Sequence, residues 1–274
     1  STRWQMGIHT TLFHVLKMQR STGNISSWLQ LCQTCILQAV LELINTTTWI
    51  RWLRNLYPYS KKLRNANPKD MLTDKRFISS TPERWGGIEC SFTRVGSQFL
   101  DQLQITGHDR RGSSDIDRFA ALGFKSMRYP FLWEKHQLRY DHPINWQWAS
   151  GQLDALQRYN IEPIAGLLHH GNGPAFTDLL DPDFPEHFVR YARAFAEKFP
   201  WVKYYTPINE PLTTARFCGL YGLWYPHKKN DRDFAIIFLN QMKATILAME
   251  SIKGINPEAQ LVQTEDLSKT YSTP

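Results

Sequence analysis

Residues 162–169 read Glu-Pro-Ile-Ala-Gly-Leu-Leu-His, and residues 201–208 read Trp-Val-Lys-Tyr-Tyr-Thr-Pro-Ile. Each is a run of strand length, and each runs into polar residues: His169-His170 after the first, Asn209-Glu210 after the second. Between them, Phe184 to Phe199 carries Phe188, Tyr191, Phe195 and Phe199 at the spacing of one helix face. Strand, helix, strand in that order predicts a right-handed parallel crossover. Working outward, the unit recurs. Gly86 to Phe92 and Phe124 to Tyr129 predict two earlier strands. Between those, Ser113 and Ser114 offer an N-cap to a helix with Ile116, Phe119, Ala120 and Leu122 on its apolar face, and Gly123 suits its C-terminus. Trp146 to Tyr159 predicts a helix that turns Trp148, Leu153 and Leu156 inward. Downstream, a long helix from about Asp233 to Lys253 leads to a fifth strand at Ala259 to Thr264 (AQLVQT).

The predicted strand starts at 86, 124, 162 and 201 are 38, 38 and 39 residues apart. Regular βα units of this length fit a (β/α)₈ barrel or a doubly wound sheet. No G-x-G-x-x-G follows the first strand, which argues against a dinucleotide fold. The expected fold class is therefore α/β, a partial (β/α)₈ (TIM) barrel of about five βα units. Such a barrel takes about 250 residues, and residues 71–274 supply 204. The expectation is a chain holding the N-terminal part of the barrel and stopping before its last three units.

Composition sets the class. The chain has 274 residues with 42% hydrophobic and 21% charged, as expected of a soluble globular protein. Its 4 cysteines are too few for a disulfide scaffold. No uninterrupted apolar run reaches the ~18–20 residues of a spanning helix, so a membrane protein is not expected. The net charge of +7 belongs entirely to residues 1–70, which carry 9 Lys+Arg and 2 Asp+Glu, while the remainder carries 23 of each sign. Nucleic acid is therefore not an expected partner of the barrel. Residues 1–70 read as a basic, helical or irregular segment of a different kind. Trp28, Leu31, Cys32, Cys35, Ile36, Val40, Leu41 and Ile44 recur at roughly helical spacing and suit a helix needing a partner surface, or a membrane-surface helix. Cys32-Gln33-Thr34-Cys35 lies inside that apolar run without a second ligand pair, and reads as structural rather than as a zinc or redox site. A linker-like stretch from Pro58 to Pro68 precedes Met71, which is a natural start for the functional chain. Residues 1–70 then count as upstream or non-native sequence.

In a barrel the reactive groups gather at the C-terminal ends of the strands. Those ends offer Glu89 to Arg94, Arg128, His169-His170, Asn209-Glu210 and Glu265-Asp266. Each has an ordinary structural alternative: an interior ion pair for Arg128, a hydrogen-bonded histidine for His169, a helix cap or solvated loop for Glu265-Asp266. Asn209-Glu210-Pro211 is the most specific of the set.

The segment Tyr205-Thr206-Pro207-Ile208-Asn209-Glu210-Pro211 resembles the T-F-N-E-P acid/base motif of family 1 glycoside hydrolases. Trp85-Gly86-Gly87 resembles that family's opening W-G-A. Met127-Arg128-Tyr129 with Trp133 resembles its second strand, and Glu162-Pro163 with Leu168-His169 its third. The match runs from about Glu83 to Thr264, in order. The resemblance implies a retaining glycosidase site. Glu210 is then the general acid and later the base. Asn209 bonds the sugar 2-hydroxyl, Arg128 supports the nucleophile and His169 binds the ring. The nucleophile is a second Glu near the end of a seventh strand, beyond this chain. Three positions depart from the pattern. Pro207 stands for a Thr, Thr93 falls where the first strand carries a sugar-binding Gln, and His170 replaces a Trp. Thr93 and His170 join Asn209, His169 and Arg128 as the expected substrate-binding set. These departures put ordinary β-glucosidase specificity in question.

Gly86-Gly87-Ile88-Glu89-Cys90, Arg94-Val95-Gly96, Arg128-Tyr129-Pro130 and Gln263-Thr264-Glu265-Asp266-Leu267 also resemble a divergent bacterial branch. There the barrel precedes a sugar-nucleotide reductase domain similar to dTDP-4-dehydrorhamnose reductase. That places the protein in carbohydrate or cell-surface polysaccharide metabolism, with a sugar or glycoside as substrate. The missing partners are then the C-terminal barrel half and the reductase. No metal and no cofactor is expected, and the cytoplasm is the expected location. Two other readings stand beside the glycosidase: a non-catalytic carbohydrate-binding barrel, and a membrane- or partner-binding helical module at residues 1–70.

Overall fold

A computed structural model of the chain describes residues 83–266. The readings for residues 1–70, for Met71 and for Leu267 lie outside the described residues. The sheet has five parallel strands in the order β1 (Trp85–Gly87), β4 (Ser126–Pro130), β5 (Glu162–His169), β6 (Tyr204–Asn209), β7 (Gln260–Leu261). Successive strands of the sheet are neighbours, with Gly87 beside Arg128, Arg128 beside Ile164 and His169 beside Asn209. This is the arrangement of a partial (β/α)₈ barrel. Beyond the two paired residues of β7, hydrogen bonds from Val262 N–H to Tyr205 C=O and from Glu210 N–H to Thr264 C=O keep the chain alongside β6, so the predicted fifth strand is in place.

The central strands are covered on both faces, which is why they read as near-continuous apolar runs. From Pro163 to His169 every residue is buried, and from Tyr205 to Asn209 likewise. The helix α5 (Phe184–Lys198) buries Phe184, Phe188, Tyr191 and Phe195 on the face that the spacing predicts. Trp133 and Tyr191 stack with ring centroids 6.1 Å apart, and Phe131 meets Phe195 at 5.0 Å, so α5 is fastened to the segment that follows β4. The helix α7 (Asp231–Ile255) is long and apolar enough by composition to cross a membrane. Here it buries Phe234, Ile237, Phe238, Met242, Ala248 and Ile252, and it lies against α5.

Two local expectations are corrected. The predicted first strand, Gly86 to Phe92, is only Trp85–Gly87. The chain then reverses into an antiparallel hairpin, β2 (Phe92–Val95) with β3 (Gln98–Asp101), turning at Gly96 with φ +61°. The predicted helix does not start at Ser113-Ser114. A short helix α1 (Gln102–Thr106) is capped by Asp101, and α2 (His108–Ala121) begins after Gly107, with both serines inside it. The reason is the pull of the interior on His108. Its Nε2 lies 2.6 Å from the Tyr129 hydroxyl and its Nδ1 2.8 Å from Asp115. Gly123 is left-handed at φ +76°, as its place after that helix requires.

Candidate functional site

The parallel order carries the ends of β4, β5 and β6 to one rim. Arg128 on β4 donates from Nη1 to Asn209 Oδ1 at the end of β6, and to Thr264 Oγ1 at 3.1 Å. Thr264 Oγ1 is 2.7 Å from the same Asn209 oxygen. Asn209 Nδ2 lies 3.2 Å from His169 Nε2 and 3.3 Å from His170 Nε2. On the far side of the imidazoles, His169 Nδ1 is 3.1 Å from Cys90 Sγ and His170 Nδ1 is 2.8 Å from Thr214 Oγ1. Glu210 Oε2 stands 3.9 Å from His170 Nε2, and Glu89 Oε1 stands 3.7 Å from His169 Nε2. Arg128, His169, His170, Asn209 and Glu210 thus form one cluster.

Thr93 does not join it. The count from Trp85 assumes one continuous first strand. The hairpin instead puts Thr93 opposite Leu100, and no hydrogen bond connects its side chain to the cluster. The segment after β1 contributes Glu89 and Cys90. The exposed Glu89 carboxylate is held by Ser91, whose backbone N–H donates to Oε1 at 3.0 Å. An aromatic ring stands next to His170 despite the absence of a Trp at 170: Trp224, from the segment after the π-helical turn Arg216–Leu220, has its ring centroid 5.1 Å from that of His170. Thr214, Trp224 and Thr264 are residues that sequence reading does not place at the site. Thr214 had one available signal, its place four residues after Glu210 on a helix that Pro211 starts.

The electrostatics follow from burial. The Glu210 side chain is 16% exposed. Burial raises its carboxyl above the ordinary range, Arg128 opposes that, and Asp266 and Glu89 reinforce it. Burial likewise pushes Glu265 up to about 7, although its Oε2 accepts the Leu212 N–H at 3.0 Å. Both histidines are held neutral. Burial takes His170 down to about 4 and His169 well below its usual value, with the Arg128 charge adding to each. A cavity of about 210 Å³ lies elsewhere, lined by residues such as Leu103, Asp109, His136 and Trp148, none of which belongs to the cluster. Among the described residues no group of His, Cys, Asp and Glu is arranged to hold a metal ion.

A half-buried acid at a strand end, beside an Asn fastened by Arg, invites comparison with enzymes that act on sugars. A 6-phospho-beta-glucosidase from Clostridium longisporum is 28% identical over 198 residues, covering 64% of this chain and 39% of that protein. Beta-glucosidase 4 from Oryza sativa subsp. japonica is 30% identical over 136 residues, 45% of this chain and 28% of that one. The family 1 β-glucosidase from Thermotoga maritima superposes with a TM-score of 0.52 at 20% identity, over 56% of this chain and 37% of that one. The barrel is glycosidase-like. No family model matches the chain. The chain spans less than half the length of either curated relative.

Proposed function

We propose that the Arg128–Asn209–Glu210 rim is the acid/base half of a retaining O-glycoside hydrolase site. The observation that carries this reading is Glu210 itself, at the end of β6, mostly buried and with its carboxyl raised by that burial. A raised carboxylic acid can give up a proton near neutral pH. In the first step the Glu210 proton goes to the glycosidic oxygen as the bond to the anomeric carbon breaks. A second carboxylate takes up that carbon; the resemblance assigns it to a seventh strand. In the second step Glu210 takes a proton from water, and the water oxygen displaces the second carboxylate. Arg128 and Asn209 present fixed polar atoms to the ring, and His169 and His170 stand beside them as neutral groups. The names of the relatives make β-glucosides and 6-phospho-β-glucosides the first substrates to test. The divergent-branch resemblance adds a role in cell-surface polysaccharide metabolism, next to a sugar-nucleotide reductase domain.

The test is Glu210→Gln in the full-length protein. Hydrolysis of glycosides with poor leaving groups should fall by about two to four orders of magnitude, the usual contribution of general acid catalysis. Formation of the glycosyl-enzyme from an activated aryl glycoside should be spared. Added azide should partly restore turnover, because a small anion can attack without a base. Wild-type rates on unactivated glycosides would remove Glu210 from the acid/base role.

A further inference from the structure

The hydrogen-bond directions in the cluster follow from one residue with no choice. A guanidinium has only donors, so the Asn209 atom facing Arg128 must be the amide oxygen. The atom facing the histidines is therefore the amide nitrogen, which only donates. Both histidine Nε2 atoms must then be acceptors, at 3.2 Å and 3.3 Å from Nδ2. A neutral imidazole that accepts at Nε2 carries its proton on Nδ1. That proton has one partner in each case: Cys90 Sγ at 3.1 Å for His169, and Thr214 Oγ1 at 2.8 Å for His170. Cys90 is 3% exposed and Thr214 is 1% exposed, so water does not compete at either end.

We propose that Cys90 and Thr214 are positioning residues that accept the Nδ1 protons of His169 and His170, and so hold both rings in the Nδ1–H form that Arg128 dictates through the Asn209 amide. Neither side chain touches the Glu210 carboxylate in a hydrogen bond or ion pair; each acts through an imidazole. The inference adds to the glycosidase reading a pair of residues from two different strands' ends, one on the segment after β1 and one on the helix after β6. It also fixes how a ligand enters. The two Asn209 amide hydrogens go to the two imidazoles, and its oxygen takes Arg128 and Thr264. A sugar hydroxyl that bonds Asn209 must take over one of those bonds, and the imidazole it releases then offers a free Nε2 lone pair to the same ligand.

The experiment is a long-range proton–nitrogen correlation on the ¹⁵N-labelled chain at neutral pH. His169→Gln and His170→Gln assign the two rings. In the unsubstituted chain both rings should show a protonated Nδ1 and a lone pair on Nε2. Cys90→Ala should destroy the single-tautomer pattern of His169 and leave His170 alone. Thr214→Val should do the reverse. Cys90→Ser and Thr214→Ser, which keep an acceptor, should preserve both patterns. A proton on Nε2 of either ring in the unsubstituted chain overturns the proposal, even if a variant fails to fold. So does survival of both patterns in Cys90→Ala and Thr214→Val. No sugar is needed for this readout, so its failure is distinct from failure of the glycosidase reading, which the Glu210→Gln assay decides.

Discussion

Glu210 and His170 both have left-handed backbones, with φ of 45° and 57°. Neither is a glycine, and the left-handed region costs an ordinary residue about 1–2 kcal/mol. Asn160 and His227 share that conformation, and Glu210 and His170 are the pair whose carboxylate and imidazole stand 3.9 Å apart, where strain at a functional rim is a recurrent pattern. Glu134 shows the same economy of placement through charge. It is 6% exposed, its Oε1 accepts the Gly173 N–H at 3.1 Å, and its Oε2 has no partner. Burial raises its carboxyl from 4.5 to about 7. A raised carboxylate binds its proton longer in the fold than in the unfolded chain. Stability therefore falls as pH rises from 4.5 through 7, and is fully present only below that window. Glu134→Gln should lack this loss. Its stability relative to the parent chain should improve between pH 4 and pH 8 by on the order of 3 kcal/mol, measured by denaturant unfolding at both ends. Parallel pH dependences in the two proteins would mean that Glu134 titrates normally.

At the scale of elements, the π-helical turn Arg216–Leu220 sets how closely the start of α7 approaches the end of α6 (Pro211–Ala215). A Cβ on Gly219 would lie 2.6 Å from Phe234 Cα and 2.7 Å from Phe234 N. Backbone cannot swing aside as a side chain can. Gly219→Ala should therefore destabilise the fold by about 1–3 kcal/mol, seen as a lowered denaturation midpoint. An unchanged midpoint would mean the turn and α7 are free to separate. Elements also explain the two misread boundaries. The first strand ends early because the hairpin takes over, and its clue is a two-residue reversal, Gly96-Ser97, between runs whose register pairs Phe92 with Asp101. The serines at 113 and 114 have good capping chemistry, but the helix begins at His108 because a contact with Tyr129, 21 residues away, outweighs a local preference. A cap is worth about 1 kcal/mol, and burial of a ring is worth more.

Across the described residues an aromatic seam joins sheet and helices. Phe195 touches Phe131 beyond β4 at 5.0 Å, Tyr205 on β6 at 6.1 Å and Trp146 before the helix α4 (Gln147–Arg158) at 5.8 Å. Phe195→Ala should cost about 3–5 kcal/mol. Because the seam joins several βα units, far- and near-ultraviolet signals should still melt together at a lower temperature. A loss confined to one signal would show that α5 opens independently of the sheet. The positions of β4 to β7, the apolar face of α5 and the residues at those strand ends were determined by the sequence alone. They depend on periodicities of two and 3.6 residues and on the type of residue that follows each apolar run, and both are local. Arg128, His169 and Glu210 were therefore readable as rim residues before any contact was known. The tertiary structure decided which atoms meet. Thr93 came to stand in a hairpin, paired with Leu100, rather than in a continuous first strand. Thr264 gained its place because Arg128, 136 residues before it, reaches across the sheet to both Asn209 and that threonine, and Thr214 gained its place against His170, 44 residues before it. Hydrogen bonds select partners within tenths of an ångström, and such distances follow from how the strands lie side by side, which no run of residues records.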